Sequence, residues 1–193
     1  MQIEAKNNRQ VFLRRLSSND LDNLIDYLQN LSVETKKRFG PHNFDKQSVI
    51  EFYDFNANLG YVAQTVDTKE IIAYSIIKIG YLEHDAIRLQ SYGMTLDIIT
   101  DCTFAPSVAD LWQSCGIGNN LFRFILSDLT TMKIERIILW GGVQMDNEIA
   151  VNFYRKNGFK TIGQFAYNGD NYDMIYDIPS TLRKASSVGG ITI

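Results

Sequence analysis

Apolar positions follow two rhythms along the chain. In "VFLRRL" they alternate with polar ones, which predicts a strand from Val11. The next stretch, "SSNDLDNLIDYLQNL", switches to helical spacing. Leu21, Leu24, Ile25 and Leu28 share one face there, and Ser18, Asn19 or Asp20 can cap it. "SVETKKRF" predicts a second short helix, with Ser32 as its cap and Glu34 in its first turn. After a loop at "GPHNFD", "KQSVIEFYDFNA" reads as a third helix.

From Gly60 the pattern turns β-branched. "YVAQTV" and "IIAYSIIKI" flank the turn "DTKE" and predict a hairpin. "RLQSYGM" reads as a weaker strand or an insertion. "DCTFAPSVADLW" is strand-like, but Pro106 has no N–H to give a ladder, so a bulge or a break in pairing is expected there. Leu121, Phe122, Ile125, Leu126 and Leu129 then share a helical face. "RIILW" is a short, nearly continuous apolar strand, as in a sheet covered on both sides. In "NEIAVNFYRKN" a helical face of Ile149, Ala150, Phe153 and Tyr154 ends at Gly158. "KTIGQFAYN" and "NYDMIYDI" predict a last hairpin around Gly169 and Asp170. The order of elements predicts an α/β fold, a mixed sheet with helices on its faces. One domain is expected over 1–179, with 180–193 a flexible tail poor in apolar residues.

Composition narrows the class. The chain has 193 residues, 45% hydrophobic and 21% charged, which is ordinary for a globular domain able to bury one core. Its net charge is -3, and its basic clusters are short, so no nucleic-acid partner is expected. The polar start "MQIEAKNNRQ" is no secretory signal, and no apolar run reaches the roughly 20 residues of a membrane helix. A cytoplasmic protein with no membrane partner is expected. Cys102 and Cys115 lack metal-like neighbours, so no metal is expected.

The chemistry sits in "QSCGIG", residues 113 to 118, which leads into a helix. The first N–H groups of a helix have no partner inside it, and the peptide dipoles place about half a positive charge there. Glycines let the backbone turn sharply and let an anion approach it, so strand, loop and helix together suit a phosphate. The same pattern serves plain turns. It is not a Walker loop, since Asn119 and Asn120 stand where Lys and Ser or Thr are needed. Nor is it a dinucleotide fingerprint, since Phe122 and Arg123 occupy the region of the third glycine.

Two segments, in order and with one strand between them, resemble the GNAT superfamily of N-acetyltransferases. Gln113, Gly116 and Gly118 fit the acetyl-CoA signature Q/R-x-x-G-x-G/A. Asn147, Ala150, Tyr154, Gly158 and Phe159 fit the segment N-x-x-A-x-x-x-Y-x-x-x-G-F. Val108 and Trp112 match an upstream V-x-P-x-aromatic pattern, with Asp110 in place of its proline. The resemblance is specific from about Val108 to Phe159.

It implies a central, mostly antiparallel sheet splayed at the cofactor strand, with helices on both faces. It implies acetyl-CoA as co-substrate and direct transfer of acetyl to the primary amine of a small molecule. The pyrophosphate would lie on amides from Gln113 through Ser114, Cys115, Gly116, Ile117 and Gly118 to Asn119. Val108, Ala109 and Asp110 would border the pantetheine arm, and an N–H near Val108 would polarise the thioester oxygen. Asn147 would cap its helix and touch the cofactor. Tyr154 would be the general acid, against a reading as a packed aromatic whose hydroxyl bonds backbone. Asp101 is the candidate base; His84, in a turn-like stretch with Glu83 and Asp85, reads as a surface histidine, and a water relay is a third route. Two further functions stay open: a non-catalytic acyl-CoA-binding module, and a peptide or protein N-terminal acetyltransferase. In either pocket or groove, "ETKKRFGPHNFD" is the expected lining, with Arg38 and His42 facing an acidic group and Phe39 and Phe44 in the core. The chain is expected as a monomer or homodimer.

Overall fold

The computed structural model describes residues 1–54 and 58–185. In chain order the elements are β1 (Gln2–Glu4), β2 (Gln10–Arg15), α1 (Leu21–Asn30), α2 (Val33–Arg38), α3 (Lys46–Asp54), β3 (Asn58–Thr65), β4 (Ile71–Ile79), α4 (Glu83–Ser91), β5 (Asp101–Val108), α5 (Ile117–Thr131), β6 (Arg136–Leu139), β7 (Val143–Gln144), α6 (Glu148–Lys156), β8 (Lys160–Ala166), β9 (Asp170–Asp177) and α7 (Ser180–Ala185). This is a mixed α/β fold. The registered strand pairs are antiparallel except β5 with β6.

The chain forms two compact units, Met1–Ile77 with Ala105–Phe124, and Lys78–Phe104 with the residues from Ile125 onward. In the first, β1 pairs with β2, β2 with β3, and β4 follows β3. The alternation read in "VFLRRL" is the burial pattern of β2, where Val11 and Leu13 are buried and Phe12 is exposed. α1 buries Leu24, Tyr27 and Leu28. Ser32 caps α2 by accepting from the Thr35 amide at 3.2 Å, as its sequence implied. Ile117, Leu121 and Phe122 carry the start of α5 into the core.

In the second unit β5 pairs with β6 in parallel, β9 pairs with β6, β7 and β8, and Ile137, Ile138, Met174 and Ile175 are buried. The β5–β6 ladder ends at Phe104 and Leu139, with the Trp140 amide donating to the Phe104 carbonyl at 3.0 Å. The expected break in pairing thus falls two residues before Pro106.

Four readings change. "RLQSYGM" is not a strand; its first residues end helix α4. That helix has no apolar stripe to betray it: Leu89 is buried while Ile87 is exposed. Ion pairs hold it instead, since Arg88 reaches both Asp85 and Asp173 at 2.8 Å. His84 accordingly sits in the first turn of α4, not in a loop. In α6 the buried positions are Val151 and Tyr154, and Ile149 is 64% exposed, while the Asn147 cap accepts from the Ala150 amide at 3.2 Å. Of the tail, Ser180–Ala185 is helical, and 186–193 lies outside the described residues. β1 and β7, three and two residues long, are too short to show a pattern in the sequence.

Candidate active site

In the first unit, β5 runs out at Val108 and the chain enters the glycine loop through a short 3-10 turn, Asp110–Trp112. The turn is built from within. The Ala109 amide donates to Ile72 at 2.9 Å, Trp112 to Ala109 at 2.8 Å, Gln113 to Asp110 at 3.3 Å and Cys115 to Trp112 at 3.4 Å. The Gln113 side chain donates to the Val108 carbonyl at 3.4 Å. Two residues then take left-handed backbone, Ser114 at φ 61° and Gly116 at φ 85°. Glycine adopts that conformation freely, so Gly116 is where the loop can reverse into α5 without strain.

This geometry narrows the expected cradle. The amides of Ala109, Gln113 and Cys115 are spent inside the protein. Those of Ser114, Gly116, Ile117 and Gly118 donate to no acceptor among the described residues. They cluster at the start of a 15-residue helix, where the dipole favours an anion. The Gly116 carbonyl is turned the other way, held by the Asn120 amide at 3.2 Å and the Asn120 side chain at 3.1 Å. Asp110 has structural work. It accepts from the Ser32 amide and hydroxyl at 3.2 and 2.8 Å and from the Thr35 hydroxyl at 2.9 Å, which ties α2 to the loop. Burial works against its charge, but these donors outweigh it and hold the carboxyl below the usual range.

The same unit holds a dense polar and aromatic group. Tyr27 donates to the Ser107 hydroxyl at 2.9 Å, and Ser107 to the Tyr74 carbonyl at 3.1 Å. The Tyr74 hydroxyl bonds that of Tyr53, and lies 3.1 Å from His42 Nε2. Phe39 is buried, as expected, and stacks on Phe44. Arg38 pairs with Glu34 at 2.8 Å. Beside Ala109 opens a cavity of about 250 Å³ whose lining includes Asp26, Tyr27, Lys69 and Glu70.

In the second unit Tyr154 is 7% exposed, set among Phe104, Phe153 and Phe159. Its hydroxyl makes no hydrogen bond among the described residues, so the backbone partner of a merely packed tyrosine is missing. Burial pushes the phenol well above its ordinary range, so the oxygen keeps its proton and can donate it in a hydrogen bond at neutral pH. Asp101 is fully buried. It accepts from Arg136 at 3.0 Å and from the Asp97 amide at 2.8 Å. Burial raises its carboxyl above the usual range despite both donors. The structure thus gives Asp101 the geometry of an anchor for Arg136. His84 is exposed, 3.6 Å from Asp85.

One residue escaped the sequence reading. Lys6 donates its amide to the Cys115 carbonyl at 3.1 Å, and its side chain lies beside Gly116. No signal in "EAKNNRQ" pointed to it, because the contact depends on the β1–β2 turn.

A family model described as the acetyltransferase (GNAT) family matches residues 25–159. No curated protein matches the chain. Among solved structures, the GNAT domain of S. lividans PAT superposes with a TM-score of 0.69 at 17% identity, over 92% of this chain and 96% of that one. Spermidine N-acetyltransferase from Vibrio cholerae, solved with CoA and spermine, gives 0.62 at 21% identity over 86% and 95%. An aminoglycoside acetyltransferase solved with coenzyme A gives 0.64 at 19% identity over 92% and 99%. At these identities the superpositions speak for the fold. No helix among the described residues is long and apolar enough to cross a membrane.

Proposed function

The chain belongs to the GNAT acetyltransferase family, and from that premise we propose that it transfers acetyl from acetyl-CoA to the primary amine of a small molecule. The observation that carries the reading is the set of unspent amides at Ser114, Gly116, Ile117 and Gly118 at the head of α5. They suit a pyrophosphate, and the family supplies its identity as that of CoA. The Ser114 and Cys115 side chains are secondary to this backbone role.

Bound acetyl-CoA supplies a thioester carbonyl open to a neutral amine and a thiolate as leaving group. The new bond is carbon to nitrogen, the broken one carbon to sulfur, and the amine gives up one proton. An N–H near Val108 polarises the carbonyl oxygen. Tyr154 keeps its proton at neutral pH and donates toward the departing sulfur, whose ordinary pKa of about 8.5 makes a hydrogen bond sufficient help. Asn147 fixes α6 and with it the position of Tyr154. Asp101 is committed to Arg136, so the amine proton passes to water in this reading. The cavity beside Ala109 supports a small cationic acceptor, since its lining sets two carboxylates, Asp26 and Glu70, against one ammonium, Lys69. The superposed enzymes named for spermidine and aminoglycosides act on acceptors of that kind.

Calorimetry with acetyl-CoA, followed by free-thiol detection over a panel of polyamines, aminosugars, amino acids and one peptide, tests this. Micromolar binding and thiol release dependent on a small amine are expected. Absence of binding overturns the cradle, and release with the peptide alone overturns the small-molecule acceptor.

A further inference from the structure

From Gln113 to Asn120 the loop carries no cationic side chain. Its amides and the helix dipole offer about half a positive charge, against the two charges of a pyrophosphate. The N-terminal hairpin lies against this loop within the same unit. Its turn is closed by the Ala5 amide to Arg9 and the Asn8 amide to Ala5, both 2.9 Å, with Asn8 left-handed at φ 61°. Ala5 is 3% exposed, which roots the turn. Two contacts fasten it to the loop. The Lys6 amide holds the Cys115 carbonyl at 3.1 Å, and the Arg9 guanidinium lies 4.6 Å above the Trp112 ring.

The two cations of this turn differ. Arg9 is engaged, with Trp112 beneath it and Asp67 at 3.3 Å. The Lys6 ammonium has no ion-pair or hydrogen-bond partner among the described residues. Its Cγ and Cε both lie 3.8 Å from the point where a Cβ on Gly116 would stand, so the stem lies along Gly116. A lysine held this way is a compact point charge beside four unspent amides.

We propose that Lys6 is a phosphate ligand of the cofactor, the cation that the loop itself lacks, delivered by the β1–β2 turn. The proposal rests on reading the loop as the CoA cradle. It adds a binding residue from a segment outside the family match, which begins at residue 25.

The test is calorimetry with CoA and 3′-dephospho-CoA on full-length wild type, Lys6→Ala, Lys6→Arg and Gly116→Glu. The backbone bond to Cys115 survives in Lys6→Ala, so an unchanged melting temperature is expected. CoA affinity should fall about tenfold, the size of one charge-assisted contact, and Lys6→Arg should restore most of it. An equal loss for both ligands assigns Lys6 to the pyrophosphate; a loss for CoA alone assigns it to the 3′-phosphate. Lys160→Ala, an exposed lysine of the second unit, should bind as wild type. Unchanged affinity in Lys6→Ala, with wild type binding and Gly116→Glu not, overturns the role of Lys6 and leaves the cradle standing. Absence of binding in wild type overturns both.

Discussion

Tyr154 meets Phe159 edge to face, with ring centroids 5.2 Å apart and planes at 61°, and Phe104 stands at 6.5 Å and 83° on another side. Aromatic packing thus fixes the ring while its hydroxyl stays unpartnered among the described residues. Tyr154→Phe keeps the packing and removes one oxygen. Stability should change by less than about 1 kcal/mol, since no hydrogen bond is lost. CoA affinity should hold, and kcat should fall about 10²-fold, the low end of general-acid contributions. Equal kcat in both proteins from pH 6 to 9 would remove Tyr154 from the chemistry.

Gly116 separates conformation from space. An added Cβ would meet nothing closer than 3.8 Å, so bulk is tolerated, but φ 85° is not a conformation an alanine favours. Gly116→Ala should cost about 1–2 kcal/mol, while Gly116→Asn, whose side chain tolerates left-handed backbone, should cost less. Gly116→Glu adds a negative charge beside the unspent amides and should weaken CoA binding beyond detection while the fold persists. Thermal melts paired with calorimetry on the three variants check the order.

Asp101 and Arg136 test the assignment of structural work. Asp101 has no exposure and Arg136 little, so removing the guanidinium leaves a buried carboxylate with only the Asp97 amide. Arg136→Ala should destabilise by about 3–5 kcal/mol, and Asp101→Asn in that background should recover part of the loss. Read by denaturant midpoints, recovery identifies the pair as an anchor. If instead Asp101→Asn alone abolishes turnover at wild-type stability, Asp101 is the base after all.

Much of this was legible in the chain because local rules and tertiary context agree. The β2 alternation, the Ser32 and Asn147 caps and the glycine turn ahead of α5 each read from a few residues. What escaped depends on partners distant in sequence. α4 has one buried apolar anchor, Leu89, and is held by Arg88 reaching Asp173, 85 positions on. In α6 Ile149 continues the apolar pattern, and only packing shows that Val151 is the buried position. The loop's sequence shows seven candidate amides from Gln113 to Asn119. Only hydrogen-bond geometry reveals that Gln113 and Cys115 are already engaged, and that Lys6 arrives from the other end of the chain.

Half-buried His42 should make stability fall as pH drops below neutral. Burial among Phe39, Phe44, Phe52 and Tyr74 lowers its pKa, while the Asn43 carbonyl and the Asp45 carboxylate oppose the shift without cancelling it. The folded protein therefore takes up this proton at lower pH than the unfolded chain, whose histidine titrates near 6.5. The unfolded state binds more protons in that window, so stability is complete above the unfolded pKa and is lost as pH falls through it toward the folded value. The chain has two histidines, and the other, His84, is exposed. The shifted carboxyls Asp20, Asp45, Asp67, Asp97 and Asp110 are lowered, so their effect lies at more acid pH, while the raised carboxyl of Asp101 adds stability as pH falls, opposite in sign to His42. Urea midpoints should fall from pH 7.5 to 5.5 in wild type. They should fall much less in His42→Phe, which keeps the aromatic packing and gives up the bond to Tyr74. A slope that survives the substitution unchanged assigns the loss to groups other than His42.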